Sequence, residues 1–171
     1  MEQKIVKENP MREIKIEKVV VSVGGTGENL EKGIKLIEML TKRKAARMKS
    51  TKRIPSFGVR PGLEVGTVVT LRKDRKEFLG RFLSAIENVL KKSQISENNF
   101  SFGIKEYIEI PGAEYQREIG IIGLDVTVVF KRIGKRVSLR KVKKGKVSKK
   151  QIISKEEIIK FMEENFQTRF E

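Results

Sequence analysis

The sequence predicts a single α+β domain: an antiparallel or mixed β-sheet with helices packed on one face, plus long basic loops. Three observations lead there. Stretches of β-branched alternation and of 3.6-residue periodicity follow in the order β-α-β-β-α-β-β-α with short links, which suits an α+β layer. The chain has 171 residues, enough for one sizeable core. No internal repeat or low-complexity linker divides it, so residues 11–171 read as one domain behind a loose polar arm over 1–10.

Each element has its own signal. Residues 13–23, EIKIEKVVVSV, alternate and then become continuously β-branched, as a strand entering a core does. GGTGEN then feeds a helix with Leu30, Ile34, Ile37 and Leu40 on one face. KRKAARMK (42–49) reads as a short basic edge strand, 50–65 as a turn-rich loop, and VGTVVTLR (65–72) as a second strand. Residues 74–92 place Phe78, Leu79, Phe82, Ile86, Val89 and Leu90 at helical spacing. Residues 99–110 alternate like a strand, and 121–133 read as another buried one. Around Val137, Leu139 and Val142 the alternation suggests an extended basic ribbon. Ser154 followed by Glu157 is a capping-box pattern that opens a final helix over 154–166.

Composition narrows the function. The net charge is +16, which implies an anionic partner. There is no cysteine and no histidine. Disulfides, thiolate metal sites and every Ser-His or Cys-His arrangement are thereby excluded. We identify no catalytic, cofactor or metal residues. No apolar run approaches membrane-spanning length and the first ten residues lack a signal-peptide core, so the expectation is a cytoplasmic protein without a membrane partner.

Two segments carry the charge. Residues 42–60 hold eight Lys or Arg with no acid between Glu38 and Glu64. A solvated face normally mixes signs, whereas unrelieved like charge suits a surface neutralised by phosphates. Phe57 reads either as a plug under this loop, which is favoured, or as a planar group for stacking on RNA. Residues 131–150 hold eleven basic residues of twenty, and no acid falls between Asp125 and Glu156. No zinc finger, basic-region heptad or convincing helix-turn-helix accompanies them, so RNA recognised by shape and backbone fits better than DNA. Between the zones lies an acidic island, 106–120, that reads equally as a polar loop or as a face for a basic protein. The turn at Gly24, Gly25 and Gly27 matches no phosphate-loop pattern and reads as a plain strand-to-helix turn, with Thr26 or Asn29 near the cap. Asp125 interrupts an apolar strand and is expected in a structural ion pair.

NPMREIKIEKVVVSVG (9–24), KSTKRIPSFGVRPG (49–62), VTLR (69–72), NNFSFGIKEYIEIPGAEY (98–115) and IGIIGLDVTVVFKRIG (119–134) together resemble a large-subunit ribosomal protein family, L-five, in its archaeal-type branch. The resemblance runs in order along nearly the whole chain. It implies a structural ribosomal protein that binds 5S rRNA and attaches it to the large subunit in the central protuberance. Implied partners are 5S rRNA, large-subunit rRNA, a neighbouring 5S-binding ribosomal protein, a small-subunit head protein (S-thirteen) and P-site tRNA.

Matched by position, the 5S rRNA contacts fall on Ser22, Arg43 and Thr70, with Lys44, Lys49 and Arg72 as phosphate partners. The P-site tRNA loop falls on Lys52, Arg53, Phe57 and Arg60, and the intersubunit bridge on Glu109, Glu114, Tyr115 and Glu118. Departures are Ser22 and Arg43 in place of the amides common in bacterial members, an altered glycine register at the turn, and lysines where histidines are frequent near 148–150. The competing readings are a free RNA chaperone or tRNA-binding module, and behind it an RNA-modifying enzyme.

Overall fold

The computed structural model describes residues 9–171. The arm predicted over 1–10 lies outside those residues as far as residue 8; Pro10–Arg12 forms a single 3₁₀ turn capped by the Asn9 side chain. The first long strand, β1 (Ile14–Gly24), becomes the middle of the sheet because its β-branched run can be buried between two neighbours. It is followed by α1 (Glu28–Thr41), the edge strand β2 (Ala46–Lys49), β3 (Glu64–Leu71) and α2 (Arg75–Ser84). Short strands β4 (Val89–Leu90) and β5 (Ile95–Ser96) lead to β6 (Asn99–Ile104) and β7 (Leu124–Arg132). A single turn, α3 (Arg136–Leu139), then α4 (Lys155–Phe166) and β8 (Arg169–Phe170) complete the described chain.

The main sheet has six strands in the order β2-β3-β1-β7-β6-β5, with every pairing antiparallel. Alternation decides its two faces. Val19, Val21 and Val23 of β1, Val69 and Leu71 of β3, Phe100 and Phe102 of β6, and Val126, Val128 and Phe130 of β7 point into one core. Leu36 and Ile37 of α1, Phe82 of α2 and Met162 of α4 close that core from the same side. The Phe130 ring meets Phe161 of α4 edge-on at 5.6 Å. The opposite face of the sheet is open.

Four readings of the sequence change. Helix α2 stops at Ser84 instead of running to 92: Glu87 and Asn88 take positive φ, and Val89–Leu90 pair in parallel with β8. Strand β6 ends at Ile104, and Tyr107–Glu109 form a 3₁₀ turn that sinks Tyr107 into the core. The basic stretch is no extended ribbon, since residues 136–139 wind into a helical turn. In α1 the fully buried Leu36 joins Ile37, while Ile34 is only half-buried. The capping box forms as the sequence predicts: Ser154 Oγ accepts from the Glu157 amide, and Glu157 Oε2 accepts from the Ser154 amide at 3.0 Å.

Candidate nucleic-acid interface

The open sheet face is small and polar at its centre. Ser22 lies opposite Val68 on β3 and Asp125 on β7; Val20 lies opposite Thr70 and Thr127. Ser22 and Thr70 are therefore diagonal neighbours on adjacent strands of the same face, both half-buried. Asp125 faces Gly103 across the next pair, and its Oδ1 stands 3.2 Å from where a Cβ of residue 103 would sit. It is exposed and makes no ion pair among the described residues, so the structural pair predicted for it does not form there.

The basic fringe lies along the β2 edge. Glu38 Oε1 accepts from the Ala45 amide, which fixes the chain as it leaves α1 in the left-handed turn at Lys42. Beyond that turn Arg43 is half-buried, Lys44 and Lys49 are exposed, and Arg72 is exposed where β3 ends. None of these four cations has a carboxylate partner among the described residues. Arg47 is the exception. It bridges Glu31 of α1 at 2.8 Å and Glu64 of β3 at 3.0 Å, and the hydrogen bond to Glu64 and the charge of Glu31 raise its pKa. Arg47 therefore fastens β2, while the other cations of the fringe stay without a carboxylate partner among the described residues.

The 50–63 loop is a folded hairpin. Ser50 N–H donates to Leu63 and Gly62 N–H to Ser50 at its base, each at 2.8 Å. At its tip Ile54 and Val59 exchange two backbone hydrogen bonds around a 3₁₀ turn, Pro55–Phe57. Gly58 leaves that turn at φ +65°, a conformation that costs glycine nothing. Val59 is the plug of this loop, being buried; Phe57 is 79% exposed, which overturns the plug reading for it. Lys52, Arg53 and Arg60 surround that ring's turn, all exposed and without ion pairs among the described residues.

The acidic island hangs on one buried pillar. The Tyr107 hydroxyl accepts from the Gln116 amide at 3.0 Å, and Ile110 and Ile119 are buried beside it. This leaves Glu109, Glu114 and Tyr115 exposed on the surface. Glu118 is tied to Lys35 of α1 at 2.7 Å, and that hydrogen bond holds its carboxyl below the ordinary glutamate range.

The strand pairings fix where these features lie. Gly24 is opposite Gly66, and Ser22 opposite Asp125, so the 50–63 loop and the acidic island share one end of the sheet. Ile14 is opposite Arg132, so the basic stretch after β7 lies at the other end. The folded chain thus sets a basic loop and the acidic island at the same end. The Gly24–Gly27 turn is a plain one. Gly27 caps α1 at φ +58° without a side-chain hydrogen bond, so neither Thr26 nor Asn29 serves as the cap. No group of three or more Asp or Glu is placed to hold a metal among the described residues.

Two models of one ribosomal protein family together span most of the chain. The family model for ribosomal protein L5 matches residues 9–60, and the model for the C-terminus of the same ribosomal L5 family matches residues 64–161. The large ribosomal subunit protein uL5 of Pyrobaculum aerophilum is 44% identical over 163 residues, covering 93% of this chain and 91% of the relative. That of Nanoarchaeum equitans is 42% identical, covering 92% and 95%. That of Sulfolobus acidocaldarius is 43% identical, covering 96% and 94%.

Proposed function

The chain belongs to the ribosomal protein L5 family, and from that membership we propose that it holds 5S rRNA on the large ribosomal subunit through its open sheet face and β2 edge. It is a structural constituent of the large subunit, not an enzyme, and its place is the ribosome in the cytoplasm. The observation that carries the 5S reading is the juxtaposition of Ser22 and Thr70 on one uncovered face, fringed by cations without carboxylate partners among the described residues. Ser22 and Thr70 hydroxyls supply short-range donors and acceptors. Arg43, Lys44, Lys49 and Arg72 supply charge for phosphates, with counterion release as the driving term.

The shared end serves the ribosome's moving parts. The 50–63 hairpin, with Lys52, Arg53, Arg60 and the exposed Phe57 ring, reaches toward P-site tRNA. The island, with Glu109, Glu114, Tyr115 and Glu118, faces a basic protein of the small-subunit head, S-thirteen in the family. In the central protuberance the chain also meets large-subunit rRNA and a neighbouring 5S-binding ribosomal protein. The common end of loop and island supports this reading, because partners arriving from one side would meet both.

The test is a pair of variants. R43E/K44E reverses two exposed or half-exposed charges without touching the core, and 5S rRNA affinity at physiological salt falls at least tenfold. Unchanged affinity would remove the β2 edge from the site. E109Q/E114Q/E118Q weakens association of the two subunits while 5S affinity stays within twofold; loss of both together would refute the separation of the two surfaces.

A further inference from the structure

We propose that Asp125 is the base-reading residue of the open sheet face, and that it takes the Watson–Crick edge of an unpaired guanine in the bound RNA. This rests on the 5S reading and sharpens it, from an RNA held by its backbone to one recognised at a single base.

The residues around Asp125 form a flat platform. Across the strands one row runs Ala46, Val68, Ser22, Asp125, Gly103, and the next runs Thr70, Val20, Thr127, Ser101. Directly opposed residues share a face, so all nine positions face away from the core, and none of them is buried. Apart from Asp125, no side chain in either row is larger than valine. A planar base can lie on such a surface without meeting a bulky group, and Asp125 then stands at its edge. Gly103 keeps room for the carboxylate. A Cβ at that position would come within 3.2 Å of Oδ1 and crowd it.

Charge decides what the carboxylate can meet. Asp125 is the one acid in the two rows, exposed and without an ion pair among the described residues. An ionised carboxylate accepts hydrogen bonds and donates none. Phosphate offers it only like charge, so Asp125 cannot join the backbone contacts proposed for Arg43, Lys44, Lys49 and Arg72. The donors that RNA presents are the 2′-hydroxyl and the imino and amino groups of its bases. A 2′-hydroxyl recurs at every nucleotide and carries no sequence information. Guanine alone sets two donors side by side, N1–H and N2–H, and these match the two oxygens of one carboxylate. Adenine and cytosine place an acceptor beside their amino group, and uracil flanks its N3–H with two carbonyls. Each of those three therefore turns a lone pair toward a carboxylate oxygen. In a duplex the guanine edge is already taken by cytosine, so the target is a base splayed out of a loop or bulge.

The experiment uses the full chain and 5S rRNA at physiological salt. Kethoxal, which modifies guanine at N1 and N2, maps the reactive guanines of the RNA alone and with saturating protein. We expect the unaltered chain to protect at least one guanine that D125N leaves reactive. Inosine, which lacks the N2 amino group, is then placed at that guanine. The replacement should weaken binding of the unaltered chain by about fivefold and of D125N by less than about twofold. Thermal melting checks that D125N is folded. If no guanine owes its protection to Asp125, or inosine weakens both proteins equally, the proposal is overturned while 5S binding itself stands. If the unaltered chain does not bind 5S rRNA at all, the 5S reading falls and the base reading falls with it.

Discussion

Phe57 and Tyr107 show how differently two aromatics in polar surroundings are used. Phe57 contributes almost nothing to the fold, because most of its surface already meets water. Phe57→Ala should change unfolding free energy by less than about 0.5 kcal/mol in a urea titration. If it instead cost as much as a core truncation, the exposed tip would be wrong. Tyr107 is wholly buried and its hydroxyl receives the Gln116 amide. Tyr107→Phe should cost about 1 kcal/mol by the same titration, the usual worth of such a bond. Asp125 is the other telling residue. A carboxylate beside Ser22 repels phosphate and accepts hydrogen bonds only, so it penalises any RNA that presents backbone there. Asp125→Asn should tighten binding of an unrelated duplex more than binding of 5S rRNA. A uniform change would show that Asp125 plays no part in selection. The sequence made Asp125 conspicuous but assigned it a partner, since a lone acid in an apolar strand looks buried until the open face is known.

At the level of elements, α4 is the best specified. Its Ser154–Glu157 box is written in the sequence, and Ser154→Ala should cost about 1 kcal/mol of stability by chemical denaturation. Glu157 also carries a pH dependence. Burial pushes its carboxyl up, but hydrogen bonds from Arg132 and the Ser154 amide outweigh that, leaving it below the ordinary range. A depressed carboxyl stabilises the fold above its unfolded pKa of about 4.3 and loses that contribution as pH falls through the folded value. Stability measured by thermal melting should therefore drop below about pH 4, and E157Q should melt with a shallower acid limb. Elsewhere local patterns misled where distant chain intervened. Ile86, Val89 and Leu90 keep helical spacing after α2 has ended, because Val89 and Leu90 are claimed by β8, some eighty residues later. No window around residue 89 contains that information. Val137, Leu139 and Val142 alternate but are all exposed, so their alternation marks no buried face. The strands β1, β3 and β7 were legible for the opposite reason: each buries one face against the same core that its own residues build.

On the scale of the whole molecule, the positive charge is divided rather than spread. Five carboxylates, Glu31, Glu64, Glu17, Glu157 and Glu118, hold β2, the root of the basic stretch after β7 and the island in place, through Arg47, Lys135, Arg132 and Lys35. Exposed cations without a carboxylate partner among the described residues are densest at the β2 edge, in the 50–63 hairpin and over residues 136–150. The resemblance implies RNA contacts on the first two, while for the third the folded chain shows cations exposed above a fixed root. The central position of β1 has a consequence in time. Synthesis makes this strand first, yet its second neighbour, β7, is complete only at Arg132. A nascent chain therefore carries an unpaired β-branched edge, joined to a strongly cationic loop, through most of its own translation. Such an edge templates aggregation and such a loop adsorbs any passing nucleic acid. The newborn protein is at its most vulnerable on the machine whose finished form it helps to build.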